Sequence, residues 1–228
     1  GGNGGSIGAI LTNRVFDDAG DMTTGGLDFH YHPGNNYHIT LHATASIHNE
    51  SDNYEYVDEE YDFTQLFFDN GRYTKAFDGE KVTGNALGFS LNKRTRTDSF
   101  GVVFRLRSPG FRTSNGFETN NTTKWLKASR GKTVYYDTNP ILLKTDYNFS
   151  TIYKTNYSGL IKKQELSFST GSDLRNGDFF KVSAEFEKEN FRGYQFDNLY
   201  EFEFGYRNQI NSKFMHYSEL QSREIIIR

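Results

Sequence analysis

The sequence predicts an all-β chain, an antiparallel up-and-down meander of about 10–11 long strands. Two observations lead there. Apolar and polar residues alternate with a period of two in one segment after another, the period of a β-strand. The composition also suits long strands, with 21 Phe, 15 Tyr and only three Pro among 228 residues. No amphipathic helix with capping residues is legible anywhere.

Taken in order, Gly1 to Gly5 is a flexible start without the Lys and Ser/Thr of a phosphate-binding loop. Ser6 to Val15 follows as a strand in which Ile7, Ala9 and Leu11 alternate with small or polar residues. Phe16 to Gly26 reads as a turn region carrying Asp17, Asp18 and Asp21. The opening hairpin comes next. Leu27, Phe29 and Tyr31 share one face, and Asp28, His30 and His32 share the other. From Tyr37 to His48 the apolar set is Tyr37, Ile39, Leu41, Ala43, Ala45 and Ile47, and the polar set is His38, Thr40, His42, Thr44, Ser46 and His48. Pro33-Gly34-Asn35-Asn36 between them is turn chemistry. Opposed residues of an antiparallel pair share a face, so the loop must be odd in length. That places His32 opposite His38, His30 opposite Thr40 and Asp28 opposite His42.

Residues Asn49 to Thr83 read as an acidic loop insertion, with Glu50, Asp52, Glu55, Asp58, Glu59, Glu60 and Asp62 interleaved with tyrosines. Tyr61 to Phe68 continues a strand and Asp69-Asn70-Gly71 turns it. Calcium is conceivable there, but the spacing matches no EF-hand loop. Asn85 to Lys93 and Ser99 to Arg107 form a second hairpin, with Leu91 opposed to Phe100 around the loop Arg94 to Thr97. A loop from Ser108 to Phe117 precedes Trp125 to Tyr136, a strand interrupted at Arg130-Gly131-Lys132. The rest is regular: Tyr147 to Tyr153, Leu160 to Ser169, Phe180 to Glu187, Tyr200 to Arg207 and Lys213 to Glu224, with Gly171-Ser172-Asp173 and Asn176-Gly177-Asp178 surrounding a turn.

Two architectures carry such alternation. A soluble sandwich buries its apolar face, whereas an outer-membrane barrel turns it to lipid and lines a lumen with the polar one. The segments favour the barrel, because several approach the roughly 9–11 residues that cross a bilayer. Tyr31, Tyr37, Tyr153, Tyr200 and Tyr206 also stand near segment ends, where interfacial girdles sit. Short turns alternate with longer polar loops. No run approaches the roughly 18–20 apolar residues of a membrane helix, and the low mean hydropathy of −0.73 does not exclude a barrel. A net charge of −3 argues against nucleic acid as a partner. Without cysteine the chain has neither disulfides nor metal thiolates.

Two motifs add a resemblance. Ser6-Ile7-Gly8-Ala9-Ile10-Leu11-Thr12-Asn13-Arg14 resembles the opening strand of a group of poorly characterised Gram-negative proteins. Ser108-Pro109-Gly110-Phe111-Arg112 with Asn115-Gly116-Phe117 is similar to a stretch that follows a strand later in the same group. Those proteins carry a family-9 carbohydrate-binding-like domain followed by an outer-membrane β-barrel, and the resemblance covers the barrel part only. It implies location in the cell outer membrane, the lipid bilayer as partner, and a carbohydrate ligand presented by the neighbouring domain. Residues 1–228 accordingly read as a single β-barrel region, a fragment whose barrel is incomplete, since Glu224-Ile225-Ile226-Ile227-Arg228 enters a strand without a terminal aromatic.

Five of the six histidines lie on one face of the opening hairpin. Imidazole and carboxylate are metal ligands, and His32 with His38 is the pair that would hold an ion. The row is spread over about 30 Å at roughly 3.3 Å per residue, so Asp28, His30, His32, His38, His42 and His48 read first as lining of a wet lumen. Glu201 and Glu203, like Glu185 and Glu187, read as a lumenal charge row, not the carboxylate pair of a glycosidase. No catalytic constellation and no cofactor motif is legible. The expected role is a pore, uptake component or membrane anchor; the alternatives are a soluble all-β glycan-binding module and the non-catalytic part of a membrane-associated hydrolase.

Overall fold

The computed structural model describes residues 4–15, 20–52, 67–69, 71–74, 78–112, 122–191, 194–209 and 215–224. Its strands are β1 Gly4–Val15, β2 Asp21–His32, β3 Tyr37–Asn49, β4 Phe67–Phe68, β5 Tyr73–Thr74, β6 Lys81–Arg94, β7 Asp98–Arg107, β8 Thr123–Tyr135, β9 Leu142–Asn156, β10 Ile161–Leu174, β11 Phe179–Phe191, β12 Tyr194–Gln209 and β13 Met215–Glu224. Eleven of them form one sheet in the order β1-β2-β3-β6-β7-β8-β9-β10-β11-β12-β13, and β4 pairs with β5 apart from it. Each strand of the large sheet pairs antiparallel with the next in the chain, as a meander requires. The sheet is not closed: β1 and β13 each pair on one side only, and both run in the same direction. No helix occurs among the described residues.

The opening register is the one expected, with His30 opposite Thr40 and Asp28 opposite His42. Other boundaries differ. The turn before β2 ends at Gly20, with φ of 83°, and Asp21 to Gly26 belong to the strand. The acidic loop is shorter than Asn49 to Thr83, since Asn49 pairs with Lys81 and Val82 is fully buried beside them. Within it the strand at Phe67–Phe68 and the turn after it stand, whereas residues 53–66 lie outside the described residues. Leu91 opposes Val102, not Phe100, because Thr95 closes a tighter turn: its N–H donates to Asp98 O at 2.8 Å and its Oγ1 accepts from Asp98 N at 2.9 Å. The two-residue shift leaves both apolar faces together. β8 runs unbroken through Arg130-Gly131-Lys132. β10 likewise continues through Gly171-Ser172-Asp173, and the turn lies beyond it at residues 175–178.

Very little of this sheet is covered. Among the described residues the buried apolar side chains are Met22, Tyr73, Val82, Phe111 and Leu199. The accessible surface is 15178 Å² for 26.2 kDa. A compact monomer of that mass exposes about 10,600 Å² by the usual scaling, and among the described residues no second layer covers the sheet as a globular core needs.

Candidate functional site

The two faces of the sheet differ in both chemistry and exposure. One face carries Ile7, Leu27, Phe29, Leu41, Leu87, Leu126, Phe149, Leu166, Phe168, Val182, Phe202 and Phe204, all exposed. Phe202 and Phe204 are 50% and 48% exposed. Charged groups on this face stand towards the strand ends. Lys93 lies over the Tyr37 ring and Arg130 pairs with Asp98 at the short-turn end, and Lys124 lies over Tyr157 at the other.

The opposite face holds the charge. Lys163 bridges Glu165 at 2.9 Å and Glu187 at 3.1 Å, and the side chains of those glutamates are only 12% and 9% exposed. Lys181 donates to both oxygens of Glu203 at 2.7 Å, and Ser183 donates to the same carboxylate at 2.9 Å. Lys144 joins Asp146 and Asp173, each at 3.0 Å, with Arg207 3.8 Å from Asp173. Hydroxyl pairs continue the pattern at Thr40–Ser90 and Ser150–Ser167, whereas the Thr145–Ser172 pair lies on the apolar side, in register with Phe149 and Phe168. A trough of about 420 Å³ on this face is bounded by residues from β7 to β12, Ser129, Ser150, Ser167, Ser183 and Glu203 among them. The ionic side chains of this face are crowded, while large apolar ones on the other are exposed.

The structure places the expected residues as follows. Asp28, His30, His32, His38 and His42 gather on the polar face. His42 Nδ1 lies 2.5 Å from Asp28 Oδ1. The His32 and His38 rings stack at 4.2 Å, and His30 sits 5.6 Å from His42 and 6.3 Å from His38. His48 does not join them; it lies towards the far end of β3, opposite Met22 and Val82. Glu201 faces Glu185 across β11 and β12, and Glu203 is neutralised by Lys181. Sequence reasoning missed the cations of these pairs. Lys181 stands opposite Gly205, two residues along from Glu203, so only the register reveals the partner.

The Ser108–Arg112 loop was expected as a motif, without a place in the fold. It folds onto the polar face of β3 and β6. Ser108 exchanges hydrogen bonds with Asn85, its N–H donating to Asn85 O and its Oγ accepting from Asn85 N, and the Arg112 N–H donates to Ser46 Oγ at 3.1 Å. Gly84 makes this approach fit, because a Cβ there would fall 2.1 Å from Phe111 N. Beside the loop, past the end of β3, oxygens of Glu50, Asp78 and Glu80 lie within 4.8 Å of one another. Burial, and then the charge of Asp78, pushes the Glu50 carboxyl up to about 7, while Arg112 pulls the other way. The remaining carboxylates of the acidic loop, Glu55 to Asp62, lie outside the described residues.

Comparison with known proteins finds no matching family model, no matching curated protein and no matching solved structure.

Proposed function

We propose that this sheet is part of the wall of an outer-membrane β-barrel, with its apolar face against lipid and its polar face towards an aqueous lumen. The observation that carries the reading is the inverted exposure. Leucine and phenylalanine are left uncovered on one face, while paired lysines and glutamates crowd the other. In water an uncovered apolar face across eleven strands is far larger than the few hundred Å² a soluble monomer tolerates. In a bilayer it is what the solvent requires. The strands of the large sheet, 10 to 16 residues long, meet or exceed the roughly 9–11 needed for a tilted crossing. Lys93 with Tyr37 and Lys124 with Tyr157 occupy the levels where interfacial anchors snorkel.

The role this supports is a pore, an uptake component or the membrane anchor of a larger protein. The same reading accommodates the resemblance to the Gram-negative barrel proteins, and with it a carbohydrate ligand on a neighbouring domain. Expression in a Gram-negative host tests it. The chain should partition with the outer-membrane fraction and migrate faster on gels unheated than boiled. Recovery as a detergent-free, monodisperse soluble protein overturns the reading.

A further inference from the structure

Two opposite charges that border the 420 Å³ trough of the polar face are left unanswered. The negative one is Glu185 on β11. Carboxylate oxygens of Glu165, Glu185 and Glu187 lie within 4.8 Å of one another, and a single ammonium meets them. Lys163 bonds Glu165 and Glu187, which leaves Glu185 without a counter-ion. Lys181 cannot supply one, because both its short contacts go to Glu203. The positive charge is Lys127 on β8, which makes no hydrogen bond or ion pair among the described residues. Its register neighbours are Val103 and Ile152, and Ile152 stands between it and Glu165.

Short neutral polar groups fill the strip between the two charges. One rung of the sheet runs Ser129, Ser150, Ser167, Glu185, and the next runs Asn148, Ser169, Ser183. Ser150 and Ser167 bond each other at 2.7 Å, whereas Ser129, Asn148 and Ser169 have no side-chain partner among the described residues. No long side chain on these rungs blocks the way from one charge to the other. Lys127 and Glu185 stand three strands and two residues apart, roughly 16 Å between Cα atoms at about 4.8 Å per strand and 3.3 Å per residue. Leaning inward over the serines, they leave room for a small molecule that carries both opposite charges. A simple cation would answer Glu185 alone, and a simple anion Lys127 alone. A sugar would use the hydroxyls and neither charge. An ammonium and a carboxylate on one short chain make charge-assisted hydrogen bonds at both ends and meet hydroxyls between them.

We propose that this trough binds a small zwitterion of the amino-acid class, with its carboxylate on Lys127, its ammonium on Glu185, and Ser129, Asn148 and Ser169 as further hydrogen-bonding groups. The site belongs to the polar face and stands whichever medium the apolar face meets.

The test follows γ-aminobutyrate by saturation-transfer difference NMR on the full chain in detergent, with butylamine, butyrate and glucose as the matched amine, acid and neutral molecule. The zwitterion should bind saturably and at least about tenfold more tightly than any of the three. Lys127→Met should weaken γ-aminobutyrate about tenfold or more and leave butylamine unchanged, and Glu185→Gln should weaken it as much and leave butyrate unchanged. Lys154→Met removes a lysine of the same face outside the trough and should change nothing. Far-UV circular dichroism of each variant separates a lost site from a lost fold. Glucose binding as tightly as γ-aminobutyrate overturns the proposal, as does a Lys127→Met/Glu185→Gln double variant that keeps its β spectrum and wild-type affinity.

Discussion

Glu50 is the residue whose surroundings most oppose its charge. Burial comes first, Asp78 and Glu80 add like charge, and Arg112 offsets only part of it, leaving the carboxyl at about 7 instead of 4.5. The folded state therefore holds a proton between about pH 4.5 and 7 that the unfolded chain has released. By linkage this stabilising contribution is complete below pH 4.5 and is lost as pH rises through 7. The thermal midpoint of the detergent-solubilised chain should fall between pH 5 and pH 8, and Glu50→Gln should remove that component of the fall. A wild-type midpoint with the same pH profile as the variant would refute it. Lys181 teaches the complementary lesson. Its charge is met by Glu203 and by the Ser183 hydroxyl on the same carboxylate, an arrangement in which neither ion is left alone on a half-buried face.

At the scale of elements, alternation made the strands and the faces legible, and the odd loop at residues 34–36 made the register of the first hairpin legible too. What misled was glycine. Gly26, Gly131 and Gly171 suggest turns in the sequence, but each lies inside a strand at a crowded point. A Cβ on Gly131 would lie 2.3 Å from Ser99 Oγ, and one on Gly171 would lie 2.9 Å from the Phe179 ring. They mark close approach across the sheet, not chain reversal. The cross-strand ion pairs were illegible for a different reason, since Lys181–Glu203 and Lys163–Glu187 join residues diagonal to each other on adjacent strands. The packing of the Ser108–Arg112 loop gives an element-scale prediction. Gly84→Ala collides with the Phe111 backbone and should cost about 1–3 kcal/mol in unfolding free energy. Gly88→Ala, whose Cβ meets His42 only at 3.5 Å, should cost under about 0.5 kcal/mol. Equal effects of the two would show that the loop does not rest on Gly84.

For the whole molecule, the two faces make a prediction that one fluorophore reads. Trp125 is the single tryptophan; it lies on the polar face, with the Arg105 guanidinium 5.4 Å from its ring. Leu126, the next residue, is exposed on the apolar face. In vesicles with brominated acyl chains, Trp125 should be quenched by acrylamide and little affected by the lipid. The variant Trp125→Phe/Leu126→Trp should reverse both responses. Lipid quenching of the native tryptophan would mean that the polar face meets the membrane, and the orientation would be wrong.

The two edges of the sheet carry an arithmetic of their own. In an antiparallel meander strand direction alternates, so the first and eleventh strands point the same way. Brought together, β1 and β13 could bond only in parallel. A second copy standing upright beside the first meets it edge to edge in the same parallel sense, and inverting it would exchange the two ends of the strands. A ring of purely antiparallel bonds needs an even total. Closure of these eleven strands by antiparallel bonds alone would therefore take an odd number of added strands, and a single one, running opposite to both edges, is the smallest solution.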